Sequence, residues 1–155
     1  MGWRPDAALL ALALAGCAAT ARDAAMPPGA AVLAGDKAAD LTRQCSRRSP
    51  APSDATWQPA AADIAALEAA LPGALERDDR SGWTKAPGDW RRQYVGLVRN
   101  GVRTIYGNFI PATVAEHGDW RTMPSMVCDG GPRFFGVEYD VAARRFVGID
   151  YNGSY

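Results

Sequence analysis

Arg92-Gln93-Tyr94-Val95-Gly96-Leu97-Val98-Arg99, then Asn100-Gly101, then Val102-Arg103-Thr104-Ile105-Tyr106-Gly107-Asn108-Phe109-Ile110 is a pair of β-rich runs joined by two turn residues. Asn-Gly tolerates the positive φ that a type I′ turn needs at both central positions, and that turn matches the twist of the strands it joins. With Asn100-Gly101 as the turn, Gly96 falls opposite Ile105 and Tyr94 opposite Gly107. Each large residue is then expected to cover a bare glycine. Pro111 follows and ends the second strand, because it has no N–H to give to a ladder.

Downstream the pattern stays short and β-like. Ser125 to Cys128 is expected as a short strand, Asp129-Gly130-Gly131-Pro132 as a turn, Phe134 to Tyr139 as a strand, Asp140 to Arg144 as a turn and Arg145 to Tyr151 as the last strand. Between hairpin and C-terminal strands, Ala112 to Pro124 reads as a long connection carrying His117 and Trp120. Upstream, Pro59 suits a first helical turn, and Ile64, Leu67 and Leu71 recur on one face until Pro72-Gly73 breaks the run. This predicts one helix from about 59 to 71, or with one further turn through Leu75, with a stripe narrow enough to cover a sheet. Glu76 to Asp89 is a polar loop carrying Trp83. The expected fold class is α+β: one N-terminal amphipathic helix packed on a four- or five-stranded antiparallel meander sheet.

The 155 residues allow one domain, and 17 basic residues balance 17 acidic ones. That balance predicts no nucleic-acid partner and no anionic membrane surface as the main target. At the N-terminus, Arg4 precedes the apolar run Ala7 to Ala15, and Leu14-Ala15-Gly16-Cys17 follows the pattern of a lipobox. The segment resembles the signal of a bacterial lipoprotein precursor, and the run is too short to span a bilayer as a helix. The resemblance implies cleavage before Cys17 and acylation of that residue. Ala18, where an aspartate would signal inner-membrane retention, implies an outer-membrane lipid anchor facing the periplasm. The division expected is a signal peptide over 1–16, a flexible tether over 17–44 and a single domain over 45–155. Val32, Leu33 and Leu41 alone give the tether too little apolar surface to offset the cost of ordering.

With Cys17 assigned to lipid, Cys45 and Cys128 remain, and an oxidising compartment predicts a disulfide between them. A free thiol pair and a metal site are the alternatives. His117 is the sole histidine and no Cys-x-x-Cys occurs, which argues against metal.

Tyr94-Val-Gly, Ile105-Tyr-Gly-Asn108, Val127-Cys-Asp-Gly-Gly131, Phe135-Gly-Val-Glu-Tyr-Asp140, Phe146 and Asn152-Gly153 resemble a group of small exported bacterial proteins of uncharacterised function, over about residues 57–153. The likeness implies no activity, cofactor or catalytic residue. From the residues themselves, Asp129-Gly130-Gly131 offers backbone amides to an anion but equally makes a tight turn. Asp129, Glu138, Asp140 and Asp150 lack the spacing of a calcium loop, and His117 lacks a matching serine motif. Loop aromatics beside arginines have the composition of contact surfaces, so Trp83, Trp90, Arg91, Trp120 and Arg121 form the candidate recognition surface. The function expected is a non-enzymatic, lipid-anchored domain that binds an envelope protein or peptidoglycan, with no cofactor. An inhibitor or immunity role against a cell-wall hydrolase is a more specific form. A periplasmic hydrolase using His117 or a carboxylate pair is the competing class.

Overall fold

A computed structural model describes residues 25–78, 90–114 and 118–153. Cys17, Trp83 and His117 lie outside the described residues, as does most of the signal and tether region.

The hairpin forms as its sequence dictates. Strands β3 (Trp90–Arg99) and β4 (Val102–Pro111) pair antiparallel from Arg99 opposite Val102 to Trp90 opposite Pro111. Asn100 and Gly101 have φ of 50° and 76°, as a type I′ turn requires. Gly96 stands opposite Ile105 and Tyr94 opposite Gly107. Tyr94 does cover its glycine, since a Cβ on Gly107 would lie 2.8 Å from the Tyr94 ring. Gly96 is covered differently: a Cβ there would lie 2.7 Å from the indole of Trp57, on a neighbouring strand.

That neighbour reflects a sheet larger than expected. β5 (Phe135–Asp140) and β6 (Arg145–Tyr151) extend the sheet antiparallel beyond β4. On the other side of β3, β1 (Ala30–Val32) pairs parallel with its first half, while β2 (Ala55–Trp57) pairs antiparallel with its second half. The sheet is therefore mixed and six-stranded, in place of the expected antiparallel sheet of four or five strands. The ten-residue β3 leaves an outer edge long enough for two three-residue strands end to end. Ser125 to Cys128 forms no strand.

The first described residues are not a loose tether. After β1 comes a 3-10 turn at Gly35–Lys37 and then helix α1 (Ala38–Thr42). Leu33, Ala38 and Leu41 are buried against Val95, Leu97 and Tyr106. The apolar residues are as few as the sequence shows. Pairing of β1 with β3 supplies backbone partners that a free linker lacks, so the few suffice.

Helix α2 (Ala61–Arg77) covers the opposite face of the sheet, its N-terminal Ala60 N–H bonded to the Asp63 carboxylate at 2.9 Å. Ile64, Leu67 and Leu71 are buried against Tyr94, Ile105, Phe109, Phe135, Val137 and Tyr139. Each such aliphatic side chain contributes about 1.5–3 kcal/mol on burial. The helix takes the longer of the two expected bounds, passing Pro72 and Leu75 to end at Arg77. Pro72 is exposed and forfeits only the bond its N–H would have made one turn back, while burial of Ala74 and Leu75 holds the next turn. Glu68 locks helix to sheet, receiving Arg92 Nε at 3.0 Å, Arg92 Nη2 at 3.1 Å and the Tyr94 hydroxyl at 2.9 Å. Two helices thus accompany the sheet among the described residues, where one was expected.

Candidate functional site

The face of the sheet away from α2 is polar at its centre. Alternation along β3 and β4 puts Gln93 and Asn108 on this face, and the hairpin register sets them directly opposite each other. Both are buried, at 0% and 2% exposure. Buried amides need partners, and these find them in the connection between β4 and β5. Gln93 Nε2 donates to the carbonyls of Trp120 and Met123, each at 2.6 Å, and its Oε1 accepts from Ser125 N at 2.9 Å. Asn108 Nδ2 donates to the Ser125 carbonyl at 2.8 Å. Asn152, just past β6, continues the series with bonds to the carbonyls of Val127 at 2.7 Å and Asp129 at 2.9 Å.

The loop from Trp120 to Asp129 is thus tied down by its backbone to three amide side chains, and by the Cys45–Cys128 disulfide at its end. Several of its side chains are exposed to solvent. Met123 is 56% and Met126 44% exposed. Trp120 is half-buried with the Arg121 guanidinium 4.7 Å from its ring centroid. Arg121 also faces Asp119 at 3.8 Å, so this end of the loop is locally neutral. An ordered backbone carrying an aromatic ring, an arginine and two methionines has the composition of a contact surface, and its ordering cost is already met in the fold.

The expected recognition surface is thereby redistributed. Trp90 is 5% exposed, packs edge-on against Phe135 and donates its indole N–H to the Arg133 carbonyl at 2.8 Å, so it belongs to the core. Arg91 donates to the Val114 carbonyl at 2.7 Å. Trp120 and Arg121 stay on the surface together. Met123 and Met126 join them, although neither stood out in the sequence; the signal for them was the amide pair Gln93 and Asn108, which has no reason to sit in apolar strands unless a loop lies over it.

A second buried group pins the segment before β2. Arg47 is 9% exposed and meets only neutral acceptors: Asn152 Oδ1 at 2.8 Å, Asn108 Oδ1 at 2.5 Å and the Tyr106 hydroxyl at 3.0 Å. Burial raises the Tyr106 pKa above its usual value of 10.0, partly offset by Arg47, so Tyr106 stays a neutral phenol.

The four carboxylates do not gather. Asp129 sits in the turn after Cys128, with its N–H bonded to Ser46 Oγ at 2.9 Å. Asp140 accepts the Ala143 N–H at 2.9 Å in the β5–β6 turn. Glu138 and Asp150 do share a cleft of about 390 Å³, floored by Gly136 and Gly148 on adjacent strands. Each has its own partners there: Arg99 and Thr104 for Glu138, Arg48 at 3.2 Å for Asp150. Asp129-Gly130-Gly131 is a turn in which all three residues have positive φ, followed by a 3-10 turn at Gly131–Arg133. Among the described residues no group of three or more His, Cys, Asp and Glu side chains is placed to hold a metal ion, and no helix is long and apolar enough to cross a membrane. No protein-family model, curated protein or solved structure matches the chain.

Proposed function

We propose that this chain is an exported protein held to the outer membrane by lipid on Cys17, whose folded domain binds an envelope partner and carries out no chemistry. One observation carries the binding reading: the 120–129 loop is fixed from beneath by Gln93, Asn108 and Asn152 while Arg121, Met123 and Met126 are exposed and Trp120 is half-buried beside them. The Cys45–Cys128 disulfide supports an oxidising compartment, as the anchor requires. Inhibition of, or immunity to, a cell-wall hydrolase is a specific form of the same reading. The competing hydrolase reading draws on the Glu138 and Asp150 cleft, but each carboxylate there is engaged by its own arginine, an arrangement that suits structural ion pairs better than a catalytic pair.

Two experiments test the proposal. Cys17→Ala in the full chain should move the protein from the membrane to the soluble fraction, and membrane retention of that variant overturns the anchor. A photoreactive residue in place of Met123 should give envelope adducts, whereas one in place of Val102, 46% exposed at the far hairpin turn, should give none. Equal yields at the two positions overturn the assignment of the contact surface.

A further inference from the structure

The loop and the point where the chain enters the fold share one end of the sheet. The Asn100-Gly101 turn marks the opposite end, and β1, running parallel to β3, begins at Ala30 opposite Arg92. Residues before Ala30 pass the start of β3, where the Pro28 carbonyl accepts Arg92 Nη2 at 2.7 Å and the Gly29 carbonyl accepts Arg92 N at 2.9 Å. Gln93, the next residue along β3, holds Trp120 and Met123 from the other strand face. Met26, 37% exposed, adds a further apolar side chain at this end.

Because β1 and α1 belong to the domain, the chain outside it is short. Ten residues, 18–27, separate Cys17 from Pro28, whose carbonyl is bonded to Arg92. Fully extended, that length spans at most about 40 Å. A lipid on Cys17 would therefore hold this end of the domain at the bilayer, at an effective concentration of millimolar order, where even a weak contact is occupied.

We propose that the partner of the Trp120–Met126 loop is the headgroup interface of the membrane that anchors the protein. The inference rests on the lipid-anchor reading above. Trp120 matches the amphipathic ring that settles at the boundary between headgroups and acyl chains, and exposed Met123 and Met126 of the same loop, with Met26 where the chain enters, supply further apolar contact. Arg121 is offset by Asp119, so the contact is interfacial and not an attraction to anionic lipid. The chain's formal net charge of zero agrees with that. Docked so, the domain turns its hairpin end, with Val102, away from the membrane.

The test uses full-length mature protein reconstituted in phosphatidylcholine vesicles brominated on their acyl chains, with tryptophan fluorescence as the readout. Wild-type protein should be quenched, and Trp120→Phe should lose most of that quenching. Met123→Glu should also lose it. Met123 is tied through its carbonyl and its side chain is exposed, so this variant leaves the loop's bonds to Gln93 in place. Added salt should change none of these results. Mass spectrometry of the N-terminal peptide separates the two layers of inference. Acylated Cys17 with no quenching attributable to Trp120 overturns membrane docking alone, and Met123 adducts on a protein would then assign the loop to a protein partner. Cys17 without lipid overturns the anchor and the docking together.

Discussion

Arg47 lies against the bare backbone of Gly136: a Cβ added there would stand 2.9 Å from Arg47 Nε and 2.7 Å from the Tyr106 hydroxyl. The glycine thus leaves room for the Arg47 side chain to lie on the sheet. Gly136→Ala should displace Arg47 and leave Tyr106, Asn108 and Asn152 short of a donor, at a cost of roughly 1–3 kcal/mol. Urea unfolding of the variant measures this. A midpoint equal to that of wild type would mean that Arg47 is not held as described.

The disulfide and the Arg47 contacts hold the same segment independently. Cys45 and Cys128 are both exposed and close a loop with a sequence separation of 83, worth about 4–5 kcal/mol on the loop-entropy model. Gly153 N to the Ser46 carbonyl at 3.1 Å and Asp129 N to Ser46 Oγ at 2.9 Å remain when the bond is cut. Cys45→Ser with Cys128→Ser is therefore expected to give a folded but less stable protein. Loss of native near-ultraviolet circular dichroism in that variant at room temperature would contradict the expectation.

Gln93→Leu removes the amide that bonds to both carbonyls and to Ser125 N, so three part-buried bonds that hold the loop are lost. Amide hydrogen exchange across 120–125 should accelerate by about one to two orders of magnitude, corresponding to roughly 1–3 kcal/mol. Protection in the β3–β4 ladder should stay high. Unchanged exchange in the loop would show that something other than Gln93 orders it.

Tyr94 links stability to alkaline pH. Burial, then the charge and hydrogen bond of Glu68, raise its pKa well above the usual 10.0, against a smaller opposing effect of Arg92. Tyr106 is raised as well, chiefly by burial. A folded-state pKa above the unfolded one means that the unfolded chain releases its proton first. The stability these tyrosines contribute is full below about pH 10 and is lost as pH rises through and beyond that value. Urea midpoints should therefore fall above about pH 10, and Tyr94→Phe with Tyr106→Phe should flatten the fall. An identical slope in the double variant would rule out these two groups as its source.

Local chemistry alone determined the β3–β4 hairpin, its turn and its register, because Asn100-Gly101 requires one turn type and period-two alternation admits one pairing. The α2 stripe of Ile64, Leu67 and Leu71 and the pairing of Cys45 with Cys128 were legible for similar reasons: fixed spacing in one case, cysteine count and expected compartment in the other. Tertiary structure decided the rest. Ala30 to Val32 becomes a strand only because β3 offers an unpaired edge, and α2 passes Pro72 only because Ala74 and Leu75 find a sheet to bury against. Trp90 and Trp120 carry the same side chain beside the same arginine neighbour. One lies in the core and the other half-buried in the 120–129 loop, because long-range placement, which no local pattern encodes, sets what each ring meets.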